Sequence, residues 1–551
     1  MQAWHVVAGS ILAVVVILLS WLLSFFTQDW YLISVIDFVI ILAIIVYADR
    51  KKYKREAILL LRRTQKGRDF LVKLGTRFPR FWKAVGNIGV VLGFAFSVWM
   101  FITLALITID NLTAKEAIPS VAILLPSPTS ETIILPGVFA PPFWFWIITI
   151  ALLALVHEGF HGLMAARERI KIKSLGFGLL AVIPLAFVEP DEKQLQKKKF
   201  MQQQRIFAAG SFANFILAAV SIALLAGISN AAFLETGVGF QGYPGKAIDI
   251  ANITALNGMP LEGPISEYLK TLDTDKTIEI RANSKSYISR PSLLLAQLEK
   301  RNSSLIVFED YPASRAGLSG SIVKLGEFEL KTSGDLRKAL EKIGPGKNIS
   351  IETINKTERK SYVLETVEEP DPEFSPSSAS YFLGYLEHAL PANDILNGIM
   401  ALPSLAGIET RNWKTVEIEI KQWEFFRENF PGLEKKAGQK ISILREEQRL
   451  YPRAGFIGVS GVFTDSVIRA EIAILKGPID FVLGLLAFMF LINFFVGAFN
   501  LLPIKALDGG RMWEVVAMKI TKRHYKKVVK ALTLIGLFLI LVNFALLVRV
   551  F

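Results

Sequence analysis

The chain has no cysteine and few histidines, and both shortages narrow the chemistry that it can perform. None of its 551 residues is cysteine, which excludes disulfide bonds, thiolate metal ligands and a cysteine nucleophile. The redox compartment stays undetermined for the same reason. Only 5 histidines are present, so any site that depends on imidazole must be built from very few residues.

Polar sequence is also scarce over long stretches, which argues against an ordinary soluble enzyme. The chain is 52% hydrophobic, its mean hydropathy is +0.42, and several apolar runs reach about 18 residues or more. We therefore expect a mainly α, polytopic membrane protein of about seven transmembrane helices. The predicted spans lie near Trp4 to Phe26, Tyr31 to Ala48, Ile88 to Ile109, Phe143 to Ala166, Ile206 to Ser229, Pro478 to Pro503 and Leu532 to Leu547.

The distribution of charge predicts which side of the membrane each loop occupies. Residues 49–84, 165–205 and 511–530 together hold 29 Lys and Arg against 8 acidic residues, although the whole chain carries only +13. Loops rich in Lys and Arg stay in the cytoplasm, so the long polar region from about Asn230 to Lys476 is predicted to be extracytoplasmic. Because the positive charge flanks the spans and forms no nucleic-acid module, it indicates a cell-membrane protein with no nucleic-acid partner.

Two of the histidines form the motif His157-Glu158-Gly159-Phe160-His161, which continues the apolar run from Phe143 to Val156. On a helix, residues at i and i+4 share one face, so both imidazoles can converge on one zinc ion while Glu158 lies within reach of a water at the metal. With so few histidines, this motif arises by chance in on the order of one in 400 sequences. The alternative is a pair of buried structural histidines.

A second set of residues, Asn500-Leu-Leu-Pro503-Ile-Lys-Ala-Leu-Asp508-Gly509-Gly510, can supply a third metal ligand. Catalytic zinc usually has three protein ligands, and two histidines with a carboxylate are a common set. Pro503 and the two glycines predict that the helix is broken here, which membranes tolerate only beside protein or a water-filled cavity. Two alternatives stay open for Asp508: an ion pair with Lys505, or a cap on the helix that begins near Arg511.

Together these motifs resemble the site-2 protease family of intramembrane zinc metalloproteases. The resemblance also rests on the segment from Gly176 to Glu189 and on Ala209-Gly210-x-x-x-Asn214 at the start of the next span. It implies that His157, His161 and Asp508 bind Zn²⁺ and that Glu158 is the catalytic base. It further implies a membrane-embedded β-hairpin at residues 174–188, whose free edge could pair with an unwound substrate, although an ordinary interfacial loop is the alternative.

Three further residues, Asn214, Asn500 and Pro503, are candidates for substrate binding. For Asn214 the sequence leaves two interpretations equally open: a hydrogen bond to the substrate backbone or to water in the zinc cavity, or a polar bridge between two helices. Asn500 and Pro503 are assigned by their place in the second motif.

The predicted organisation divides the chain into five parts. Residues 1–85 are an N-terminal transmembrane pair with a basic cytoplasmic loop, and residues 86–230 and 476–551 are the two halves of the catalytic membrane core. Residues 231–370 contain an extracytoplasmic α/β region of one or two modules, because Tyr311 to Val323 and Ser333 to Leu340 resemble a PDZ domain. Such a region could bind a peptide or screen substrate ectodomains, or it could pack on the core. Residues 371–475 are a linker and a helical insert.

These observations predict an intramembrane zinc endopeptidase that cleaves the transmembrane segments of membrane proteins, with its active site nearer the cytoplasmic face. A membrane zinc transporter or metal sensor is the alternative. Glu158 favours the protease, because hydrolysis needs a base beside the metal and a carrier gains little from an unliganded glutamate there.

Overall fold

The fold is taken from a computed structural model of the chain. It describes residues 18–25, 27–56, 59–65, 67–113, 121–135, 137–274, 276–299, 304–355, 358–372, 413–451 and 453–545. The chain divides into two compact units, which we call the membrane unit (Met1–Ala231 with Ile474–Phe551) and the inserted unit (Ala232–Ala473).

Helices dominate the membrane unit, and short helices accompany strands in the inserted unit. In chain order they are α1 (Trp30–Ala48), α2 (Arg68–Arg77), α3 (Pro79–Thr113), α4 (Phe143–Arg167), α5 (Glu192–Gln196), α6 (Phe200–Ala232), α7 (Ile265–Lys270), α8 (Pro291–Glu299), α9 (Pro312–Arg315), α10 (Ser333–Ile343), α11 (Trp413–Asn429), α12 (Glu434–Gln448), α13 (Lys476–Asn500), α14 (Asp508–Thr521) and α15 (Tyr525–Ala545).

The strands are mostly short. They are β1 (Lys54–Glu56), β2 (Leu59–Thr64), β3 (Ile123–Leu124), β4 (Ile133–Leu135), β5 (Val138–Ala140), β6 (Ile172–Leu180), β7 (Ile183–Pro190), β8 (Phe233–Gly242), β9 (Gly245–Asp249), β10 (Ile253–Leu256), β11 (Met259–Pro260), β12 (Ile278–Ala282), β13 (Lys285–Ser289), β14 (Ser304–Glu309), β15 (Ser321–Leu325), β16 (Phe328–Glu329), β17 (Asn348–Asn355), β18 (Glu358–Glu365), β19 (Val367–Glu368), β20 (Gly455–Phe456) and β21 (Ser460–Ile468).

Within the described residues, 6 helical segments are long and apolar enough to cross a membrane. They are α1, α3, α4, α6, α13 with the turn before it, and the α14–α15 segment. The prediction of seven spans is therefore not confirmed as a count. The first predicted span, Trp4 to Phe26, lies largely outside the described residues, and only residues 18–24 of it are seen as helix. The last helix begins at Tyr525, earlier than the predicted span. Its first turns are basic and carry too little apolar sequence to indicate a span, which is why the prediction began at Leu532.

The catalytic motif lies in the second half of α4, and a buried ion pair fixes the end of that helix. Glu168, the residue after α4, is 3% exposed and accepts a hydrogen bond of 2.7 Å from Nε of Arg205 on α6. Arg205 also donates to the side chain of Asn87 on α3 at 3.0 Å. Since a buried charge is tolerated only when it is paired, this cluster ties three helices together at one level of the bundle.

The segment predicted to be a hairpin is an antiparallel pair, β6 and β7, that joins at Leu180 and Ile183. Its strands belong to a larger sheet with the order β1-β2-β6-β7, so the basic loop after α1 supplies the other two strands. Gly176 and Gly178 allow this pairing, because a side-chain carbon at Gly176 would collide with the carbonyl oxygen of Arg62 on β2. The sheet leaves β7 as the edge strand nearest α4.

Among the described residues, the inserted unit contains two larger sheets with separate hydrophobic cores and a two-stranded sheet of β19 and β20. One sheet has the order β11-β10-β12-β13-β14-β9 and packs on α7 and α8, and the other has the order β18-β17-β15-β8-β21 and packs on α10. Helices α11 and α12 form a third small core of their own. The two sheets agree with an α/β region, while its similarity to PDZ domains stays a prediction.

Candidate metal centre

His157 and His161 project from the same face of α4, as their spacing requires. Their Nε2 atoms lie 3.2 Å apart, and the ring planes meet at 75°. Both side chains are largely shielded, with 11% and 14% of their surface exposed. The two rings therefore present one nitrogen each to a common point inside the membrane unit.

Asp508 reaches that point from the far end of the chain. Helix α13 ends at Asn500, residues 501–507 are not helical, and α14 begins at Asp508. The bend is so tight that side-chain carbons at Gly509 and Gly510 would collide with the carbonyl oxygens of Leu501 and Ile504. The two glycines after Asp508 thus allow two backbone segments to approach closely. The sequence alone indicated only an irregular turn here.

The carboxylate of Asp508 completes a triangle with the two imidazoles. Its Oδ2 atom lies 3.3 Å from Nε2 of His157 and 3.4 Å from Nε2 of His161. In tetrahedral zinc sites the ligands lie about 2.0–2.1 Å from the ion, which places ligand atoms about 3.3–3.4 Å from one another. The three protein atoms have this spacing, and they form a cluster of potential metal ligands among the described residues.

The hydrogen bonds of the outer ring nitrogens test whether both Nε2 atoms can bind a metal. Nδ1 of His161 lies 2.7 Å from the carbonyl oxygen of Ile206, which can only accept, so this nitrogen carries the proton. The lone pair of His161 is therefore on Nε2 and points at the cluster. A proton on the outer nitrogen is the arrangement that metal-binding histidines generally show.

His157 reaches the same arrangement through Asn214 on α6. The amide of Asn214 is completely buried, its Nδ2 is placed 3.1 Å from Nδ1 of His157, and its Oδ1 has no hydrogen-bond partner. Exchanging the two amide positions, which have nearly the same shape, lets Oδ1 accept a hydrogen bond from the Nδ1–H of His157. That assignment gives the amide oxygen a donor, places the amide nitrogen at the position for which the structure shows no partner, and leaves Nε2 of His157 free for a metal. The donor set therefore fits zinc.

The sequence did not predict the roles that Gly210 and Ser211 have in this centre. Gly210 faces both rings, because a side-chain carbon there would collide with Nε2 of His161 and lie 2.5 Å from Nε2 of His157. Ser211 donates to Oδ2 of Asp508 at 3.2 Å and orients the carboxylate. The only sequence signal was the run of small residues at the start of the predicted span from Ile206, which indicates close packing but not which residues pack there.

Glu158 lies beside the cluster on a cavity of about 500 Å³ that His157, His161 and Asp508 also line. Its Oε2 accepts a hydrogen bond of 3.1 Å from the backbone N–H of Val188 on β7. Asn500 lines the same cavity, so the structure brings it together with the predicted catalytic residues. Leu185, Ala186 and Val188 of β7 form another wall.

The remaining predicted site residues lie elsewhere. Pro503 is buried and lines a different cavity with Ser97 and Trp513, and Asn214 lies behind His157. The two alternatives for Asp508 find no support, since its carboxylate contacts the histidines and Ser211 while Lys505 is exposed. As the first residue of α14, Asp508 also gains from the positive end of the helix dipole.

The sequence of the chain is similar to those of known proteins. A family model described as peptidase family M50, the site-2 protease family, matches residues 145–543, well over half of the chain. The chain belongs to peptidase family M50. This M50 protein is also 30% identical, over 257 residues, to an uncharacterized protein from Methanocaldococcus jannaschii. That match covers 44% of the M50 chain and 65% of the relative, slightly less than two thirds of the relative's length.

The family is one of peptidases, and the 6 long apolar helices among the described residues fit a multi-pass membrane protein. The triangle of His157, His161 and Asp508 lies within the matched residues.

Proposed function

We propose that this M50 protein is an intramembrane zinc endopeptidase that cleaves transmembrane segments of other membrane proteins, as in regulated intramembrane proteolysis. One observation carries the proposal. Three potential ligands with the spacing of a tetrahedral zinc site line one cavity with a fourth residue, Glu158, that lies outside the ligand cluster. A bound zinc ion would leave one coordination position open to water and would polarise both that water and the scissile carbonyl.

The protein's own residues supply the rest of the chemistry. Glu158 accepts a proton from the attacking water and delivers it to the nitrogen of the leaving amine, so that one carboxyl group acts first as base and then as acid. Asn214 and the carbonyl of Ile206 hold the two imidazoles in the required tautomer, and Ser211 holds Asp508. Gly210 leaves the space that the rings occupy.

The edge of β7 is the proposed binding surface for the substrate backbone. A transmembrane helix keeps its peptide bonds in internal hydrogen bonds, so the scissile region must unwind before water can attack it. An unwound segment has free N–H and C=O groups, which an edge strand can satisfy by strand addition. Because β7 forms one wall of the cavity that holds Glu158, a segment paired with it would lie beside the proposed metal centre.

The alternative function, a zinc transporter or sensor, has less support. A carrier needs several exchangeable sites along a path, and the described residues contain one cluster of three potential ligands. Glu158 also has no role in a carrier.

The location of the site favours release of a cytoplasmic product. His157 is ten residues from Arg167 at the end of α4, which corresponds to about 15 Å at 1.5 Å per residue. The basic loops that flank this end are those predicted to be cytoplasmic. We assign the inserted unit a role in screening or binding the outer part of substrates, in keeping with the predicted PDZ-like region.

The decisive test is replacement of the proposed base. We expect Glu158→Gln to lower the rate at which a tagged single-span membrane protein is cleaved by at least about 100-fold, while zinc stays bound. The amide has the size of the carboxylate but cannot take a proton. Fragment release is measured by mass spectrometry after co-expression, and zinc by elemental analysis of the purified protein.

The matched control is Glu446→Gln, an exposed glutamate on α12 of the inserted unit. It should cleave at the normal rate. Normal turnover in Glu158→Gln itself would eliminate the mechanism, whereas loss of zinc in that variant would show that Glu158 is a ligand and not the base.

A further inference from the structure

The hydrogen bond between Val188 and Glu158 joins the proposed base to the proposed substrate-binding edge. Val188 pairs with Leu175 across the hairpin, and its N–H points away from β6 because it reaches Glu158 on α4. Backbone groups alternate in direction along an antiparallel strand, so the residues of β7 with the same parity as Val188 also face outward. These are Pro184, Ala186 and Pro190.

The two prolines support this assignment independently. Proline has no N–H, and within sheets it occurs where that group would face away from a partner strand. Both prolines of β7 fall in the outward-facing set. The outer edge of β7 therefore offers two N–H donors, from Ala186 and Val188, and Glu158 holds one of them.

We propose that the sheet edge restrains the catalytic base in the resting protein and that an incoming substrate strand releases it. A substrate carbonyl that pairs with the N–H of Val188 must displace Oε2 of Glu158, since both acceptors compete for one hydrogen. Pairing with an extended segment thus frees the carboxylate next to the metal ligands. A segment that stays helical cannot form this bond and leaves Glu158 restrained.

This device would couple unwinding of the substrate to catalytic competence. The inference rests on the proposed function, because it takes Glu158 as the base and β7 as the substrate-binding edge.

The resting contact can be tested without any substrate. In the zinc-loaded, full-length protein, we expect Glu158→Ala to make one backbone amide of residues 183–190 exchange with deuterium at least about 10-fold faster, because the N–H of Val188 loses its acceptor. Glu158→Gln should exchange at an intermediate rate, since its amide oxygen still accepts. The proposal would be overturned if the backbone amides of the hairpin exchanged with deuterium at the same rates in the wild-type and Glu158→Ala proteins.

The release by substrate is tested by binding. The probe is a fluorescent synthetic single-span peptide with a central Gly-Pro, and the two proteins are Glu158→Ala and Glu158→Gln, neither of which can cleave it. We expect Glu158→Ala to bind roughly 2- to 10-fold more tightly, because it has no acceptor that competes for Val188. The difference should vanish when Val188→Pro is added and persist when Ala186→Pro is added.

Proline at either position removes an outward N–H and continues a pattern already present in β7. Equal affinities of the Ala and Gln variants, or a difference that survives Val188→Pro, would overturn the inference alone. Failure of every variant to bind the peptide would count against the proposed substrate class, and the inference would fall with it. If Val188→Pro does not fold, the exchange measurement and the Ala–Gln comparison still decide.

Discussion

At the scale of single residues, the proposed metal centre would depend on groups that are not themselves ligands. The clearest case is Asn214, whose buried amide holds the outer nitrogen of His157. Such partners fix the tautomer of a ligating imidazole, and their loss typically lowers metal affinity 10- to 100-fold. This interpretation differs from the substrate-binding role that the sequence suggested, and it has a distinct experimental signature.

We predict that Asn214→Leu lowers zinc affinity by about 10- to 100-fold, whereas Asn214→Asp largely retains it. Leucine has a similar shape but no acceptor, while the carboxylate of aspartate accepts from Nδ1 of His157. Zinc affinity is measured by competition with a chelator. Normal zinc affinity in Asn214→Leu, with weakened substrate binding, would restore the substrate-binding interpretation.

Gly210 provides a second prediction, because a methyl group has no room beside the histidine rings. We expect Gly210→Ala to lose zinc and activity, since the new carbon would occupy the space of both Nε2 atoms. Gly227, on the same helix, has no heavy atom within 4 Å of an added side-chain carbon and is the matched control.

Alanine is the better helix former, so Gly227→Ala should stabilise the protein by up to about 1 kcal/mol and leave zinc unchanged. The measurements are zinc stoichiometry and thermal unfolding in detergent. Full zinc occupancy in Gly210→Ala would show that α6 can move away from the histidines.

At the scale of elements, the end of α4 is held by the buried pair of Glu168 and Arg205. Burial alone would raise the pKa of Glu168, but hydrogen bonds from Arg205 and Gln202 and the nearby positive charges outweigh it and hold the pKa below its ordinary value. A carboxyl group whose pKa is lowered on folding stabilises the fold above its unfolded pKa. That stability is lost as the pH falls through the lower, folded value.

We therefore predict that the wild-type protein loses stability as the pH falls below about 4.5 and that Glu168→Gln shows a flatter dependence in the same window. At neutral pH the variant should be less stable by about 3 to 5 kcal/mol, because Arg205 is left buried without its counter-charge. The free energy of unfolding in denaturant, measured at several pH values, tests both points. Glu131→Gln, an exposed acid, is the control and should change neither.

The sheet beside the site shows a second effect at this scale. Resemblance to the site-2 protease family implied a membrane-embedded hairpin at residues 174–188 with a free edge. In the structure β1 and β2 from the basic loop extend the sheet on the side of β6, so that β7 is the edge strand at the cavity. The N-terminal region, whose role the sequence left open, thus determines which strand of the hairpin has a free edge.

At the scale of the whole molecule, the predicted orientation can be tested because the chain has no cysteine of its own. Single cysteines at Lys338 and at Gln65, both exposed positions, are treated with a membrane-impermeant thiol reagent on intact cells. We expect the cysteine at position 338 to react and the one at position 65 to be protected, because the basic loop at residues 49–84 stays in the cytoplasm. The opposite labelling pattern would invert the topology and place the product on the outer face.

The sequence by itself determined the membrane class, most of the spans and the pair of potential metal ligands on α4. Apolar length and a spacing of four residues on one helix are local properties, and a membrane environment leaves the helix few alternatives. It also pointed to Asp508 and to the hairpin, in part through resemblance to a family. The M50 match confirms the family, and the structure brings Asp508 together with His157 and His161, whose roles as metal ligands stay predictions.

Only the tertiary structure decided which residues support those ligands. The contact between Asn214 and His157 joins α6 to α4, Gly210 lies against two rings on α4, and Val188 reaches Glu158 from a sheet edge. None of these pairs shares a helix face or a strand register, so no periodicity in the sequence can reveal them. They depend on how separate helices and strands approach one another, which is set by packing of the whole membrane unit.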